Sequence, residues 1–186
     1  MAIELKRRRF TVDDYYRMAE VGILTEDDRV ELLDGEIVEM TPIGSDHAGH
    51  VKRLTALFTS RLGDRVIVSV QDPIRLSRHS EPQPDVALLR RRADFYSRAH
   101  PRPEDVLLLI EVADASVETD RRIKMPLYAR AGLQEVWLVD LTTERVEVYR
   151  EPTVEGYREM RALARGQGLA PQAFPDLALG VNDLLG

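Results

Sequence analysis

Val106–Asp140, VLLLIEVADASVETDRRIKMPLYARAGLQEVWLVD, predicts the centre of the fold as a strand, a helix and a second strand. Val106–Ile110 is an unbroken aliphatic run, which is typical of a strand covered on both faces. Glu118–Ala131 has the pattern of a helix, and Gly132 can end it in a left-handed conformation that glycine adopts at low cost. Glu135–Asp140 is a second apolar strand. Because a crossover helix joins the two strands, we expect right-handed parallel pairing.

Two buried strands are predicted to carry an acid at one end. Glu111 follows the run Val106–Ile110, and Asp85 precedes the run Val86–Leu89 after an extended, proline-rich approach. If the strands are neighbours, the carboxylates of Asp85 and Glu111 lie close together and repel each other, unless one is protonated or a divalent cation lies between them. Oxygen ligands in a chain without cysteine favour Mg²⁺ or Mn²⁺ over zinc.

The predicted helix adds a cation to this pair of acids. Lys124 and Tyr128 are four residues apart and share one helical face, with Asp120 one turn earlier. Two acids, a hard metal ion and a lysine suit phosphodiester hydrolysis, because the metal acidifies a bound water and the lysine orients it and offsets developing charge. Spacing alone leaves open a purely structural alternative, in which Glu111 and Lys124 form a buried ion pair.

Pro126 leaves two structures open for the helix. It can kink a continuous helix near Lys124, or the helix can begin at Pro126 and leave Lys124 in a loop. His47 and His50 are three residues apart in another predicted helix, but this pair lacks a third metal ligand nearby, so we expect ordinary surface or capping roles for them.

Composition limits the classes of function. The chain has 186 residues, and we expect one domain over residues 1–186. The absence of cysteine excludes disulfides, and we expect a cytoplasmic protein, since no membrane span or signal peptide is apparent. The formal charge of −6 and pI near 5.3 do not indicate a nucleic-acid partner, but arginine-rich clusters could bind phosphate locally or could simply be solvated. The clusters are Lys6–Arg9, Arg75 with Arg78, Arg90–Arg92, and Arg121 with Arg122.

The remaining elements are predicted from caps, turns and periodicity. Thr11 and Asp14 indicate a helix start, and Asp34-Gly35 within Arg29–Met40 indicates a tight hairpin. Ser45 or Asp46 can begin a helix that runs to Leu62. Further strands are expected at Val66–Val70, Ile74–Leu76, Arg145–Arg150 (as an edge strand), Tyr157–Ala162 and Gly168–Ala170.

These residues together resemble the Uma family of endonucleases, within the PD-(D/E)XK nuclease superfamily. The resemblance covers roughly residues 10 to 150 and combines pieces that are weak alone. Its downstream part consists of Glu111-Val112, Ser116, Asp120, Lys124, Tyr128, Gly132, Glu135, Trp137 and Val139-Asp140. Its upstream part consists of Glu31–Glu36, His47, Gln71 and Pro84-Asp85.

The resemblance implies an α/β fold with a restriction-endonuclease-like core, in which a central mixed β-sheet is flanked by helices. It also implies a magnesium-type site built from Asp85 and Glu111 with help from Glu31. The superfamily's lysine usually lies two residues after the second acid, where this chain has Ala113. Lys124 is therefore expected to be that lysine, moved onto the following helix.

The predicted function is metal-dependent DNA endonuclease activity, with Asp85, Glu111 and Glu31 as metal ligands and Lys124 positioning water. Gln71 is expected to orient the nucleophile or the phosphate. Candidate contacts with the DNA backbone are Arg75, Arg78, Arg121 and Arg122. A homodimer would suit double-strand cutting. Two alternatives stay open: a catalytically inactive nuclease fold that binds nucleic acid or protein, and a metal-dependent hydrolase of another phosphoester.

Overall fold

A computed structural model describes residues 7–25, 27–114 and 116–186. Lys6, part of the predicted basic cluster at the start of the chain, lies outside the described residues. The strands are β1 (Val30–Leu33), β2 (Glu36–Glu39), β3 (Ile67–Val70), β4 (Val86–Leu89), β5 (Val106–Ala113), β6 (Glu135–Asp140), β7 (Arg145–Thr153), β8 (Gly156–Ala164), β9 (Gly168–Leu169) and β10 (Leu179–Gly180). The helices are α1 (Val12–Glu20), α2 (Ser45–Leu62), α3 (Val117–Thr119), α4 (Met125–Arg130) and α5 (Val181–Leu185).

The predicted mixed α/β fold is confirmed: a six-stranded sheet has the order β3-β4-β5-β6-β7-β8. Only β5 and β6 pair in parallel, as the sequence predicts, and the other neighbours are antiparallel. The register of β4 and β5 pairs Val86 with Ile110, so the next positions outward bring Asp85 opposite Glu111. Glu111 was expected at the end of its strand. Because β5 continues to Ala113, this acid lies inside the strand instead.

Helices cover both faces of the sheet. Ile110 belongs to the hydrophobic cluster that contains Phe58 of α2 and residues of α5, whereas Leu109 belongs to the cluster that contains Tyr128 of α4. Since side chains alternate along a strand, Glu111 lies on the same face as Leu109, towards α4. The fold therefore directs this acid at the helix that carries the predicted lysine.

The helix after β5 is one helical run with a π-helical segment, Asp120–Lys124, between α3 and α4. The N–H of Met125 donates to the carbonyl oxygen of Asp120, five residues earlier. Pro126 lies at the start of α4 and directly follows the π-helical segment, so the missing proline N–H coincides with the break in regular α-helical hydrogen bonding. Lys124 is thus helical and not in a loop, and the predicted left-handed Gly132 follows the helix with φ of +82°.

Two predicted strands differ from the structure. Ile74–Leu76 is not in a strand: Ile74 and Leu76 are buried, and the Ile74 N–H donates to the Pro82 carbonyl oxygen at 3.0 Å. Arg145–Arg150 was expected at an edge, but β7 pairs with β6 on one side and β8 on the other. That expectation was wrong because alternation indicates one buried and one exposed face, which interior strands of antiparallel sheets also have.

The predicted hairpin of β1 and β2 is confirmed as a separate two-stranded sheet, and its tight turn has positive φ at Asp34 and Gly35. A bridge between Leu32 and Glu81 holds it beside the segment that leads into β4. The hairpin therefore brings Glu31 of β1 close to the mouth of β4. Among the described residues, no helix combines the length and apolar character that a membrane crossing requires.

Candidate active site

Asp85 is held in one orientation from several sides. Its Oδ2 accepts the N–H of Val112 at 2.9 Å and lies 3.0 Å from Nε2 of His47, and its Oδ1 accepts Nε2 of Gln71 at 3.2 Å. Its own N–H donates to Oε2 of Glu111 at 3.4 Å. The structure thus brings the two predicted acids and the predicted glutamine together.

His47 extends from the first turn of α2 towards Asp85. The hydrogen bond to Asp85 raises the pKa of His47 although burial acts in the opposite direction. His50, three residues later, instead lies near the carbonyl oxygens of Asp46 and Leu185, both at 2.9 Å. The two histidines therefore do not share a site.

Glu111 is 2% exposed and accepts the O–H of Tyr128 at Oε1. Burial is the main cause that raises its pKa to about 8, and the charges of Asp85 and Asp120 add to that effect. Lys124 and Tyr128 act in the opposite direction. Glu111 is therefore a carboxyl group whose negative charge is only partly compensated in this structure.

Lys124 reaches the same point from the π-helical segment. Its Nζ lies 3.3 Å from Oε1 of Glu31, 3.3 Å from Oε1 of Glu111 and 3.8 Å from Oδ1 of Asp120. Burial disfavours the charged ammonium, but these carboxylates outweigh it and raise the pKa of Lys124. A charged lysine thus contacts the second acid from a position thirteen residues later in the chain.

Glu31 and Asp120 complete an acidic cluster. Oε2 of Glu31 accepts the N–H of Gln83 at 3.1 Å, and Oδ2 of Asp120 accepts the hydroxyl of Ser116 at 3.0 Å. Burial is the first cause of a raised pKa at Asp120. These four buried carboxyl groups are called the acidic cluster: Glu31, Asp85, Glu111 and Asp120. The Lys124 ammonium lies within 4 Å of three of them.

The acidic cluster fits a hard divalent cation by its donor chemistry. Its donors are carboxylate oxygens, which Mg²⁺ and Mn²⁺ prefer, and its excess negative charge is what a cation would relieve. Within the described ranges, no group of three or more His, Asp or Glu side chains already has the spacing of a metal cluster. A cavity of about 130 Å³ opens at these residues, and the exposed Arg29 is also in its lining.

Comparison with known families decides the relationship. A model of the family Uma2, described as "Putative restriction endonuclease", matches residues 12–182. The chain belongs to the Uma2 family. This confirms the resemblance that the sequence motifs indicate. A comparison with curated proteins found no match.

A solved structure shares the fold of this Uma2 family member. It is described as a "putative nuclease belonging to DUF820" from Anabaena variabilis ATCC 29413. The match has a TM-score of 0.72 and covers 95% of this chain and 97% of the other, with 17% sequence identity. At this level of identity the likeness shows a shared nuclease-type fold and no more.

The four arginines predicted to contact DNA do not line the cavity of this Uma2 site. Arg121 binds the carboxylates of Glu118, Asp140 and Glu147, and Arg75 is paired with buried Glu81. Arg78 and Arg122 are exposed. The predicted phosphate contacts therefore stay predictions, and Arg121 has a structural role that its sequence position did not reveal.

Sequence reasoning did not assign site roles to His47, Asp120, Tyr128 or Arg29 in this Uma2 chain. The helical spacing of Asp120, Lys124 and Tyr128 was a usable signal, because it places all three on one face. Arg29 gave no such signal, since only the hairpin's position in space brings it to the cavity.

Proposed function

We propose that this Uma2 family member is a metal-dependent endonuclease that hydrolyses phosphodiester bonds of DNA. Asp85 and Glu111 are its proposed metal ligands, with Glu31 as a further ligand. One observation supports the proposal most: the Lys124 ammonium contacts Glu111 and Glu31 beside Asp85, although it comes from another element.

A bound Mg²⁺ or Mn²⁺ would polarise the phosphate and lower the pKa of a coordinated water. The chain's own groups supply the rest of the proposed chemistry. Lys124 can donate hydrogen bonds to a water or to a phosphate oxygen, and its charge offsets the negative charge that develops during attack. Gln71 and His47 orient Asp85 through its two carboxylate oxygens, so they are positioning residues.

The proposal is tested by cleavage of supercoiled plasmid and of single-stranded DNA with Mg²⁺, Mn²⁺ or a chelator. Wild type is compared with Asp85→Asn and Lys124→Met after thermal melting has shown that each variant is folded. Cleavage that requires metal and is lost in both variants is the expected result. An Asp85→Asn protein that is folded and cleaves as fast as wild type would contradict the ligand assignment.

An inactive nuclease fold that binds nucleic acid or protein is the second candidate. The observation that favours it is that Lys124 itself pairs with three carboxylates of the acidic cluster, which partly neutralises them without a metal. This candidate predicts binding that does not depend on divalent ions and no cleavage by wild type under any of these conditions.

The setting of the reaction is also part of the proposal. We infer a single domain over residues 1–186, which the family match over residues 12–182 supports. DNA in the cytoplasm is the proposed substrate, and a homodimer would place two sites on the two strands of a duplex. Sedimentation or light scattering with and without DNA would test the dimer.

A further inference from the structure

Two further cavities lie in series with the candidate active site. The first, of about 540 Å³, shares Gln83 with the active-site cavity. The second, of about 470 Å³, shares Tyr16 with the first. These volumes fall in the range of ligand sites. The shared lining residues place the first cavity beside the active-site cavity and the second beside the first, along α1.

The first cavity, here called the tyrosine pocket, is lined by Tyr15, Tyr16, Val30, Pro73 and Gln83 among others. Hydrogen bonds fix both phenol rings: Tyr15 O–H donates to the Val30 carbonyl oxygen at 3.0 Å, and Tyr16 O–H donates to Oε1 of Glu81 at 2.6 Å. The rings pack edge to face with centroids 5.8 Å apart. Fixed aromatic rings lose little entropy when a flat ring stacks on them.

The second cavity, here called the arginine pocket, is lined by Arg75, Arg98, Arg102, His100, Ser97 and Tyr16 among others. Arg98 and Arg102 are exposed, and in the part of the chain that the structure describes neither side chain has an ion-pair partner within 4 Å. Free guanidinium groups beside a hydroxyl are typical of phosphate sites.

Acidic groups at the two pockets do not cancel this charge. The Glu81 carboxylate is occupied by Arg75 and Tyr16, and that of Asp28 accepts the N–H and hydroxyl of Thr25. Asp13 is an exposed residue in the lining of the arginine pocket. Its single negative charge is fewer than the two positive charges of Arg98 and Arg102, so the pocket keeps a net positive charge.

We propose that an unpaired strand of nucleic acid runs from the acidic cluster through these pockets, with a base stacked in the tyrosine pocket and the following phosphate in the arginine pocket. This proposal specifies the substrate of the proposed endonuclease. It rests on that function for the position of the nucleic acid at the acidic cluster. A base reaches an aromatic pocket only after it leaves the duplex, so the substrate class is single-stranded DNA or an unpaired region.

Binding in the presence of a chelator tests the pockets without any need for cleavage. The probe is a short fluorescein-labelled single-stranded DNA, measured by anisotropy against salt concentration. Arg98→Gln combined with Arg102→Gln is expected to weaken binding about tenfold or more and to reduce the salt slope by about one. The matched control, Arg61→Gln combined with Arg158→Gln, removes two exposed arginines that line neither pocket and is expected to cost no more than about twofold.

A double-mutant cycle tests the stacked base. One abasic nucleotide is moved along the probe, and at one position wild type should lose about tenfold in affinity. Tyr16→Leu should bind the intact probe equally weakly and show no further loss at that position, whereas Tyr16→Phe keeps the ring and should behave like wild type. The Phe variant separates stacking from the structural hydrogen bond to Glu81.

The outcomes separate the two proposals. The inference is overturned if the Arg98 and Arg102 variant binds the probe as tightly as wild type, or if the control variant loses as much affinity as it does. It is also overturned if wild type binds duplex as tightly as single-stranded DNA and Tyr16→Leu does not change that affinity. If the variants weaken binding as expected while wild type never cleaves, the inference stands and the endonuclease proposal fails.

Discussion

Lys124 and Arg121 lie three residues apart in one π-helical segment, and each contacts three carboxylates. Lys124 faces the acidic cluster. Arg121 faces β6 and β7, where it contacts Asp140 and Glu147, and it also contacts Glu118 of α3. The same helix therefore presents one cation to each of two acidic groups.

The two groups differ in how well the cation satisfies the acids. Arg121 donates hydrogen bonds of 2.5–3.1 Å to its partners, whereas the Lys124 ammonium is 3.3–3.8 Å from its own. Burial tends to raise the pKa of Asp140, yet hydrogen bonds from Thr143 and Arg121 outweigh it and lower that pKa. At Glu111 and Asp120 burial prevails and the pKa values are raised.

The acids around Arg121 are therefore arranged to stabilise the fold, whereas the acidic cluster around Lys124 is suited to bind a further cation. A planar guanidinium offers five donors in a fixed fork to its three carboxylates, whereas an ammonium offers only three. Incomplete compensation of buried acids is typical of functional sites. Four predictions test the contrast.

The largest expected effect is on activity. Glu111→Gln should lower the rate of plasmid cleavage by about 10³-fold or more while the protein stays folded, because it removes a proposed metal ligand with little change in shape. The rate is measured by nicking of supercoiled plasmid with Mn²⁺. Glu155→Gln, at an exposed turn, is the control and should cleave like wild type. Equal rates for both variants would remove Glu111 from the proposed chemistry.

The next effect is on stability. Arg121→Met should lower the free energy of unfolding by about 2 kcal/mol, because it leaves buried Asp140 and Glu147 without their cation. Its neighbour Arg122 is 83% exposed and 3.7 Å from Glu118, so Arg122→Met should cost less than about 0.5 kcal/mol. Denaturant unfolding measures both. Similar losses for the two variants would show that Arg121 is no more structural than a surface arginine.

A smaller effect is expected on metal affinity. Lys124→Met removes the ammonium that competes for the acidic cluster, so Mn²⁺ should bind about tenfold more tightly and add about 1.4 kcal/mol more stability than in wild type. Thermal melting over a Mn²⁺ titration, with chelator as the reference, gives this difference. An identical Mn²⁺ response in wild type and variant would mean that Lys124 and the metal do not share the site.

The smallest effect concerns acid pH. Because the folded pKa of Asp140 is lowered, its contribution is present above the unfolded value of about 3.9 and is lost as the pH falls through the folded value. The stability difference between wild type and Asp140→Asn should therefore shrink as the pH falls below about 5. Unfolding in urea at several pH values measures it. A difference that stays constant with pH would exclude this linkage.

The sequence was sufficient for the elements whose signals are local. The β5–helix–β6 unit, the Asp34-Gly35 hairpin and the position of Asp85 before β4 all follow from patterns within one segment. The meeting of Asp85 and Glu111 was expected from the sequence only if their strands were neighbours, and the pairing of β4 with β5 meets that condition.

What the sequence could not provide depends on contacts between distant segments. Nothing near Arg121 shows that Glu147 of β7 will accept its hydrogen bonds, so a structural arginine looked like a phosphate ligand. The tyrosine pocket requires α1 to lie against Val30 and Pro73, which no local pattern specifies. The interior place of β7 is likewise decided by its pairing with β8.

The π-helical segment carries a consequence for how this chain can change. Its wider turn lets one helix aim Arg121 at one group of acids and Lys124 at the other, and Ile123 between them is 43% exposed. Removal of Arg122 or Ile123 would restore ordinary helical winding and leave Arg121 and Lys124 two residues apart, about 200° around the helix. The two cations could then no longer keep their present directions towards both groups of acids. The segment should therefore tolerate substitutions at its exposed positions better than a change in its length.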